Sequence, residues 1–412
     1  MTIIMSLVGI VTLFVIAWLL SDNKKRINYR TVATAFGLQV AMAALILYVP
    51  GGGTVLNAVA GAVQNVIDYA YVGIRFLFGP IGERKPGSVI IAFHVLPVIV
   101  FFAALMAVLY YLGIMQKIIK VLGGWLHKLL QTSRTESMSA VANIFLGHTE
   151  APLVVRPYIA SMTQSELFAV MSVGMATIAG AVMAGYAAMG VELKYLLTAS
   201  FMGAPGGLLM AKILMPETDY RDPKLDDAQY SESGRPVNIF EAIGNGVRDG
   251  LMLALNVGAM LLAFVALIAL LNGMIGGIGG WFGVEGLTFE KILGWGLAPL
   301  AFALGVPWNE AASAGSLIGQ KFVVNEFVAY LNFVAMMDQL SERTQVMITF
   351  ALCGFANLSS IAIVLGGLGS LAPSRRSDIA RMGLRAVFAG TLSNLMSATL
   401  AGLFFALQTP SG

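Results

Sequence analysis

Two carboxylates stand where a carboxylate is costly. Glu150 lies in Leu146-Gly147-His148-Thr149-Glu150-Ala151 and Glu310 in Leu304-Gly305-Val306-Pro307-Trp308-Asn309-Glu310-Ala311, each just past a helix-stopping turn in a hydrophobic stretch. An acid in hydrocarbon costs at least about 2.5 to 3.5 kcal/mol on insertion scales, so two at matching places call for compensating partners. The plainer reading is a carboxylate capping the returning arm of a hairpin, a task that Ser or Asn would do equally well. A second interrupted apolar stretch follows each: Gly174-Met175-Ala176-Thr177-Ile178-Ala179-Gly180, then Gly354-Phe355-Ala356-Asn357-Leu358-Ser359-Ser360. Asn357, Ser359 and Ser360 offer the backbone alternative partners and so unwind a helix, or they bond between packed spans. Asn143, before Gly147, offers a hard oxygen to a small cation beside carbonyls freed at the turn, although helix packing alone also accounts for it. His148 can donate to a ligand or titrate near neutral pH, or simply face water as a tip residue. Phe355 is placed to cover a ring, His94 reads as a packed histidine, and Trp308 as an interfacial anchor.

These residues need a lipid-solvated frame. The chain has 412 residues, 58% hydrophobic and 11% charged, with a mean hydropathy of +0.80, outside the range of soluble domains. A net charge of +3, with basic residues in loops, gives no nucleic-acid surface. One cysteine excludes an internal disulfide, and three scattered histidines make no zinc motif. Lys24, Lys25 and Arg26 follow the first apolar stretch, so that stretch reads as a retained span and not a cleaved signal. Paired, broken hydrophobic segments in two halves are the mark of a secondary transporter with its site near the bilayer midplane.

About 20 apolar residues are needed per crossing, and eight segments qualify: 2–20, 31–49, 88–112, 167–191, 193–214, 250–272, 344–371 and 386–408. The regions 137–160 and 289–320 are split by their turns into arms too short to cross, and read as re-entrant hairpins. Placing residues 21–30, 113–166, 215–249 and 372–385 inside puts 17 of the 25 basic residues there, and leaves Lys321 among those outside. Both termini are then external, and the hairpins enter from opposite sides, as an inverted repeat demands. Ser133 to Glu136 and Thr163 to Glu166 are capping-box patterns. Residues 54–79 and Ile114 to Leu130 read as amphipathic interfacial helices, and 216–236 as a charged linker. The expected fold is an all-α polytopic membrane protein: eight transmembrane helices plus two opposed re-entrant hairpins in an inverted repeat. Its expected units are 1–134, 135–215 (first transport repeat), 216–283 and 284–412 (second transport repeat).

Gly147 to Leu153, Pro307 to Ala311 and Gly354 to Ile361 closely resemble the concentrative nucleoside transporter family, and the resemblance covers nearly the whole chain. It implies a homotrimer in a bacterial inner membrane, with a scaffold half holding the trimer and a hairpin-bearing half moving as an elevator. It further implies that His148, Thr149 and Glu150 face the nucleobase, that Glu310, Asn357 and Ser360 hold the ribose, and that Phe355 and Val182 form an apolar wall. A sodium ion, the coupling ion, would be ligated by Asn143, Thr177 and the carbonyls of Leu146 and Ile178. The family pattern has Gln where this chain has His148, and Ser where it has Thr177. The outer helix before the third span also looks shortened.

A neutral nucleoside needs no fixed basic residue and gains nothing directly from a membrane potential, so uphill uptake needs a driving ion. A proton carried by Glu150, Glu310 or His148 is the alternative to sodium. A membrane-embedded enzyme with paired glutamates lacks a nucleophile or metal constellation, and two hairpins meeting mid-membrane block a channel.

Overall fold

A computed structural model describes residues 2–49, 51–83, 89–219 and 236–408. Most of the charged linker expected at 216–236 lies outside these residues. The first half holds α1 (Thr2–Leu19), α2 (Tyr29–Leu47), the amphipathic α3 (Gly52–Phe78), α4 (Leu96–Tyr111), α5 (Ile114–Leu130) and α6 (Arg134–Ala142). After a 3-10 segment, Ala151–Ser161, come α7 (Gln164–Ala176), α8 (Gly180–Met189) and α9 (Leu193–Leu214). The second half runs α10 (Ile239–Trp281), α11 (Phe289–Ala303), α12 (Trp308–Val323), α13 (Glu326–Met336), α14 (Glu342–Leu352), α15 (Ser359–Leu371) and α16 (Arg376–Gln408). No strand occurs among the described residues.

Among the described residues, six helical segments are long and apolar enough to cross a membrane. Adding α1 and the broken pair α14 and α15 gives the expected eight spans. Both capping boxes form: Ser133 N donates to Glu136 Oε2 at 2.8 Å, and Thr163 N to Glu166 Oε2 at 2.8 Å. They start α6 and α7 where the sequence places them. His94 is packed as expected, its Nδ1 accepting from Ile90 N at 3.0 Å and its Nε2 meeting Ile81 O at 2.9 Å.

The repeat is clear in the element order. The series α5, α6, 3-10 segment, α7, α8, α9 is matched by α11, α12, α13, α14, α15, α16. This order corrects the second hairpin. The chain does bend by 117° between α11 and α12, where Gly305 to Pro307 predict a turn. The turn that reaches the middle of the molecule, however, is the next one, Val324-Asn325, so the arms are α12 and α13 and α11 stands in the place of α5. Asn325 caps α13, its side chain accepting from Val328 N at 2.9 Å.

The hairpins enter from opposite ends, and α1 and α16 measure this. Near one end, Ser6 and Gly402 bond Arg343 beside the start of the second hairpin. At the other, Asp22 N donates to Leu214 O at 2.9 Å and Arg385 reaches Leu20 and Leu214, beside Lys212, which is paired with Glu136 at the start of the first hairpin. The centre is built from the hairpin-bearing segments. Over an apolar 18-residue stretch of each, 94% of the residues of α7–α8 and 89% of those of α9 are buried, against 17% for α10. The long α10 packs on α4 at the periphery and presents one face to the cavity described next.

Candidate functional site

Four interruptions of helix converge. Hairpin 1 stops at Asn143 to Glu150, with Glu150 N and Ala151 N donating to Gly147 O at 3.0 and 2.9 Å. Broken span α7–α8 opens at Thr177 to Ala179, hairpin 2 turns at Val324-Asn325, and α14–α15 opens at Cys353 to Leu358. Direct bonds tie these breaks together: Gly180 N donates to Phe145 O at 3.0 Å, and Phe355 N to Thr177 O at 3.2 Å. Asn394 of α16 clips both spans, donating to Ala176 O at 2.7 Å and Cys353 O at 2.8 Å. Gly354 permits this, because a Cβ there would lie 2.3 Å from Asn394 Oδ1.

A cavity of about 630 Å³ opens where the breaks meet, within the range of small-molecule sites. Hairpin 1 supplies His148, Thr149 and Glu150, α8 supplies Val182, and the second repeat supplies Glu326, Phe355, Asn357 and Ser360. Met252, Asn256 and Met260 of α10 close one side. The His148 ring meets Phe355 edge to face, centroids 4.7 Å apart, and neither imidazole nitrogen has a protein partner. Two unpartnered nitrogens in a buried ring are costly unless a ligand or water meets them. Gly174 makes room behind, since a Cβ there would lie 2.8 Å from that of His148.

The second repeat contributes a prepared carboxylate. Glu326 accepts from Asn357 Nδ2 at 2.8 Å and from the Tyr186 hydroxyl at 3.2 Å. Asn357 is fixed in turn, its Oδ1 accepting from Ser360 N at 2.9 Å, Ser360 Oγ at 3.0 Å and Ser359 Oγ at 2.7 Å. Such a cluster presents acceptors and donors at fixed spacing to vicinal hydroxyls, with charge-assisted bonds at the carboxylate.

Glu310 is not part of it. Its carboxylate accepts from Ser341 N at 3.1 Å and Ser341 Oγ at 2.9 Å, so it caps the start of α14. The eleven residues of α14 then put it roughly 16 Å along the helix from the break. It is the third residue of its arm as Glu136 is of α6, so it corresponds to Glu136 and not to Glu150. Sequence reasoning missed Glu326 because Val324-Asn325 has neither Gly nor Pro. The usable signal was Asn-Glu inside an apolar run, a cap followed by an acid. Lys321 was also misjudged: it is buried, with its ammonium donating to Ala351 O at 2.7 Å and Asn394 Oδ1 at 2.6 Å.

The residues expected to hold a cation do come together. Asn143, Thr177 and Ile178 are buried where hairpin 1 meets the break in α7–α8, and Leu146 lies at the same tip. Asn143 Nδ2 donates to Ser139 O at 2.9 Å, while its Oδ1 is buried without a partner. No cluster of His, Cys, Asp and Glu able to hold a metal occurs among the described residues.

Family models cover this framework almost end to end. Residues 8–81 match the N-terminus, and 195–402 the C-terminus, of the Na+ dependent nucleoside transporter, and 92–192 match a nucleoside recognition domain. The nucleoside permease NupC of Helicobacter pylori is 53% identical over 98% of both chains. The chain belongs to the concentrative nucleoside transporter family. Among solved structures, CNTnw in an inward-facing substrate-bound state is 56% identical over the full length of both chains, with a TM-score of 0.95. A doubly substituted CNTnw in an outward-facing state superposes with a TM-score of 0.96, at 56% identity over 99% of both chains. This protein is therefore a nucleoside transporter and not an enzyme.

Proposed function

We propose that the transporter is a secondary active symporter that imports nucleosides down a sodium gradient by elevator-type alternating access. The observation that carries sodium is Asn143 Oδ1, a buried acceptor without a partner that lies against Gly174 in the last turn of α7, next to the break at Thr177. Neutral oxygens around freed carbonyls suit a small hard cation, whereas a proton needs only one titrating group. Asn143, Thr177 and the carbonyls of Leu146 and Ile178 are its ligands in this reading. His148, Thr149 and Glu150 meet the base, Glu326, Asn357 and Ser360 the ribose, and Phe355 and Val182 the flat apolar faces. Glu326 takes the part that the family resemblance assigned to Glu310.

Residues 135–215 and 284–412 form the moving half, and 1–134 with 216–283 the scaffold through which three copies assemble. The protein works in a bacterial inner membrane with both termini outside. The test is nucleoside binding to purified protein in sodium against choline at fixed pH. Affinity must rise with sodium, and sodium affinity by the same factor with nucleoside. Asn143→Ala should remove most of that rise. Equal affinity in both salts, with proteoliposome uptake following an imposed pH gradient, would replace sodium by the proton.

A further inference from the structure

A half-helix that stops inside the protein leaves carbonyls without helical partners, and some other group must donate to them. Here one amide serves both breaks. Ala176 ends α7 and Cys353 caps the end of α14, and both carbonyls accept from Nδ2 of the buried Asn394, at 2.7 and 2.8 Å. Both Nδ2 hydrogens are then spent, and Oδ1 is left to meet a third group. That group is the ammonium of Lys321, 2.6 Å away, which also donates to Ala351 O at 2.7 Å. An ammonium only donates and a carbonyl only accepts, so the amide has a single orientation that satisfies all three.

The line of bonds runs past Lys321 to the nucleoside cavity. Lys321 lies in the last turn of α12, and the carbonyl of the next residue, Phe322, accepts from Leu358 N at 3.0 Å. Leu358 follows Asn357, whose Nδ2 donates to Glu326. At its other end the line begins at Ala176, directly before Thr177 and Ile178 of the proposed sodium site. Packing alone does not account for the lysine. Both acceptors are neutral oxygens, and a Met or Leu would fill the same volume without desolvating a charge.

We propose that Asn394 and Lys321 are the positioning residues through which sodium at the first break raises nucleoside affinity at the second. This rests on the sodium reading above and adds to it the route of the linkage. A cation held by the Thr177 hydroxyl and the Ile178 carbonyl fixes the end of α7, and with it the carbonyl that Asn394 grips. The amide is bonded on three sides, so it cannot shift at one break without giving up a bond at the other or at Lys321. Lys321 carries that constraint into the arm of hairpin 2 whose tip bears Glu326.

The experiment measures the linkage and not affinity alone. Binding of the tightest of uridine, cytidine and adenosine is compared in sodium and in choline at fixed pH, and the ratio of the two affinities is the sodium factor, expected at roughly 5 to 150 in the wild type. Asn394→Asp keeps the shape but gives the two carbonyls no donor, and Lys321→Met keeps the length but no donor. Each should lose affinity chiefly in sodium, so that the factor falls about fivefold or to unity. The double variant should lose no more of the factor than either single one, and Lys321→Arg should restore most of it. Equal losses in both salts, which a merely structural role would give, overturn the proposal, as does an unchanged factor in folded variants. A second measurement needs no variant. In wild-type protein without nucleoside, sodium in place of choline should slow hydrogen exchange at residues 324–326 and 355–358, and unchanged exchange there overturns the proposal. Wild-type affinity that ignores sodium removes the sodium reading itself, a result seen before any variant is made.

Discussion

Glu310 and Glu326 are sixteen positions apart and do different work. Glu310 caps α14 through Ser341, while Glu326 is held by Asn357 and Tyr186 at the cavity. A charge-assisted bond is worth roughly 1.5 to 3 kcal/mol, so Glu326→Gln should cut nucleoside affinity about tenfold to a hundredfold in folded protein. Glu310→Gln should instead keep the affinity within about twofold and lower stability by about 1 kcal/mol, the scale of a lost cap. Binding and melting measured on both variants separate the two roles, and a collapse of binding in Glu310→Gln alone would reverse the assignment. His148 is the second residue with a readable outcome. Imidazole offers one donor and one acceptor at a reach different from an amide, so His148→Gln should retain uptake and reorder the ranking of uridine, cytidine and adenosine. An unchanged ranking would place His148 outside base selection. The hairpin 1 tip was legible because Gly147, His148, Thr149 and Glu150 interrupt an apolar run within four residues. Lys321 and Asn394 were not, since they act on residues 73 positions apart and no local pattern announces such a partner.

At the scale of elements, hydropathy located the spans and capping chemistry located their starts. Both α6 and α7 begin at the boxes the sequence displays, because a Ser or Thr with Glu three residues on satisfies two free amides at once. The second hairpin was displaced by one helix because two turns compete there. Gly305 and Pro307 do stop α11, but Val324-Asn325 makes the functional tip with only an asparagine cap as signal. The broken spans depend on close approaches at particular glycines. Gly354→Ala would drive a methyl against Asn394, and overpacking of this kind costs typically about 1 to 3 kcal/mol. The expected result is a lower melting temperature together with weaker nucleoside binding, since Asn394 holds both breaks. Weaker binding with no thermal shift would mean that Asn394 does not clip the spans.

At the scale of the whole molecule, the repeat was readable from one matched pair of broken segments, 174–180 and 354–360, because lipid forbids most alternatives, whereas pairing the Gly147 turn with the Gly305 turn set the second hairpin one helix too early. The proposed division into moving and fixed halves makes a further prediction. Helix α8 of the proposed moving half lies against α4 of the scaffold, where a Cβ on Gly185 would be 3.5 Å from Ile99 Cγ1. Cysteines at Gly185 and Ile99, in a Cys353→Ser background, should form a disulfide on oxidation that stops uptake and a reductant restores. Full uptake by the oxidised protein would show that the halves do not slide at this face. The 43-residue α10 sets a last condition. Its uncharged stretch from Leu251 to Ile278 is roughly 42 Å long against a hydrocarbon core of about 30 Å, so it is long enough to cross with a tilt. A leaning helix answers to bilayer thickness: thicker lipid stands it up and thinner lipid lays it down. The face it turns to the cavity would rotate with it, so the transport rate is expected to change with bilayer thickness, as uptake into proteoliposomes of short-chain and long-chain lipid would show.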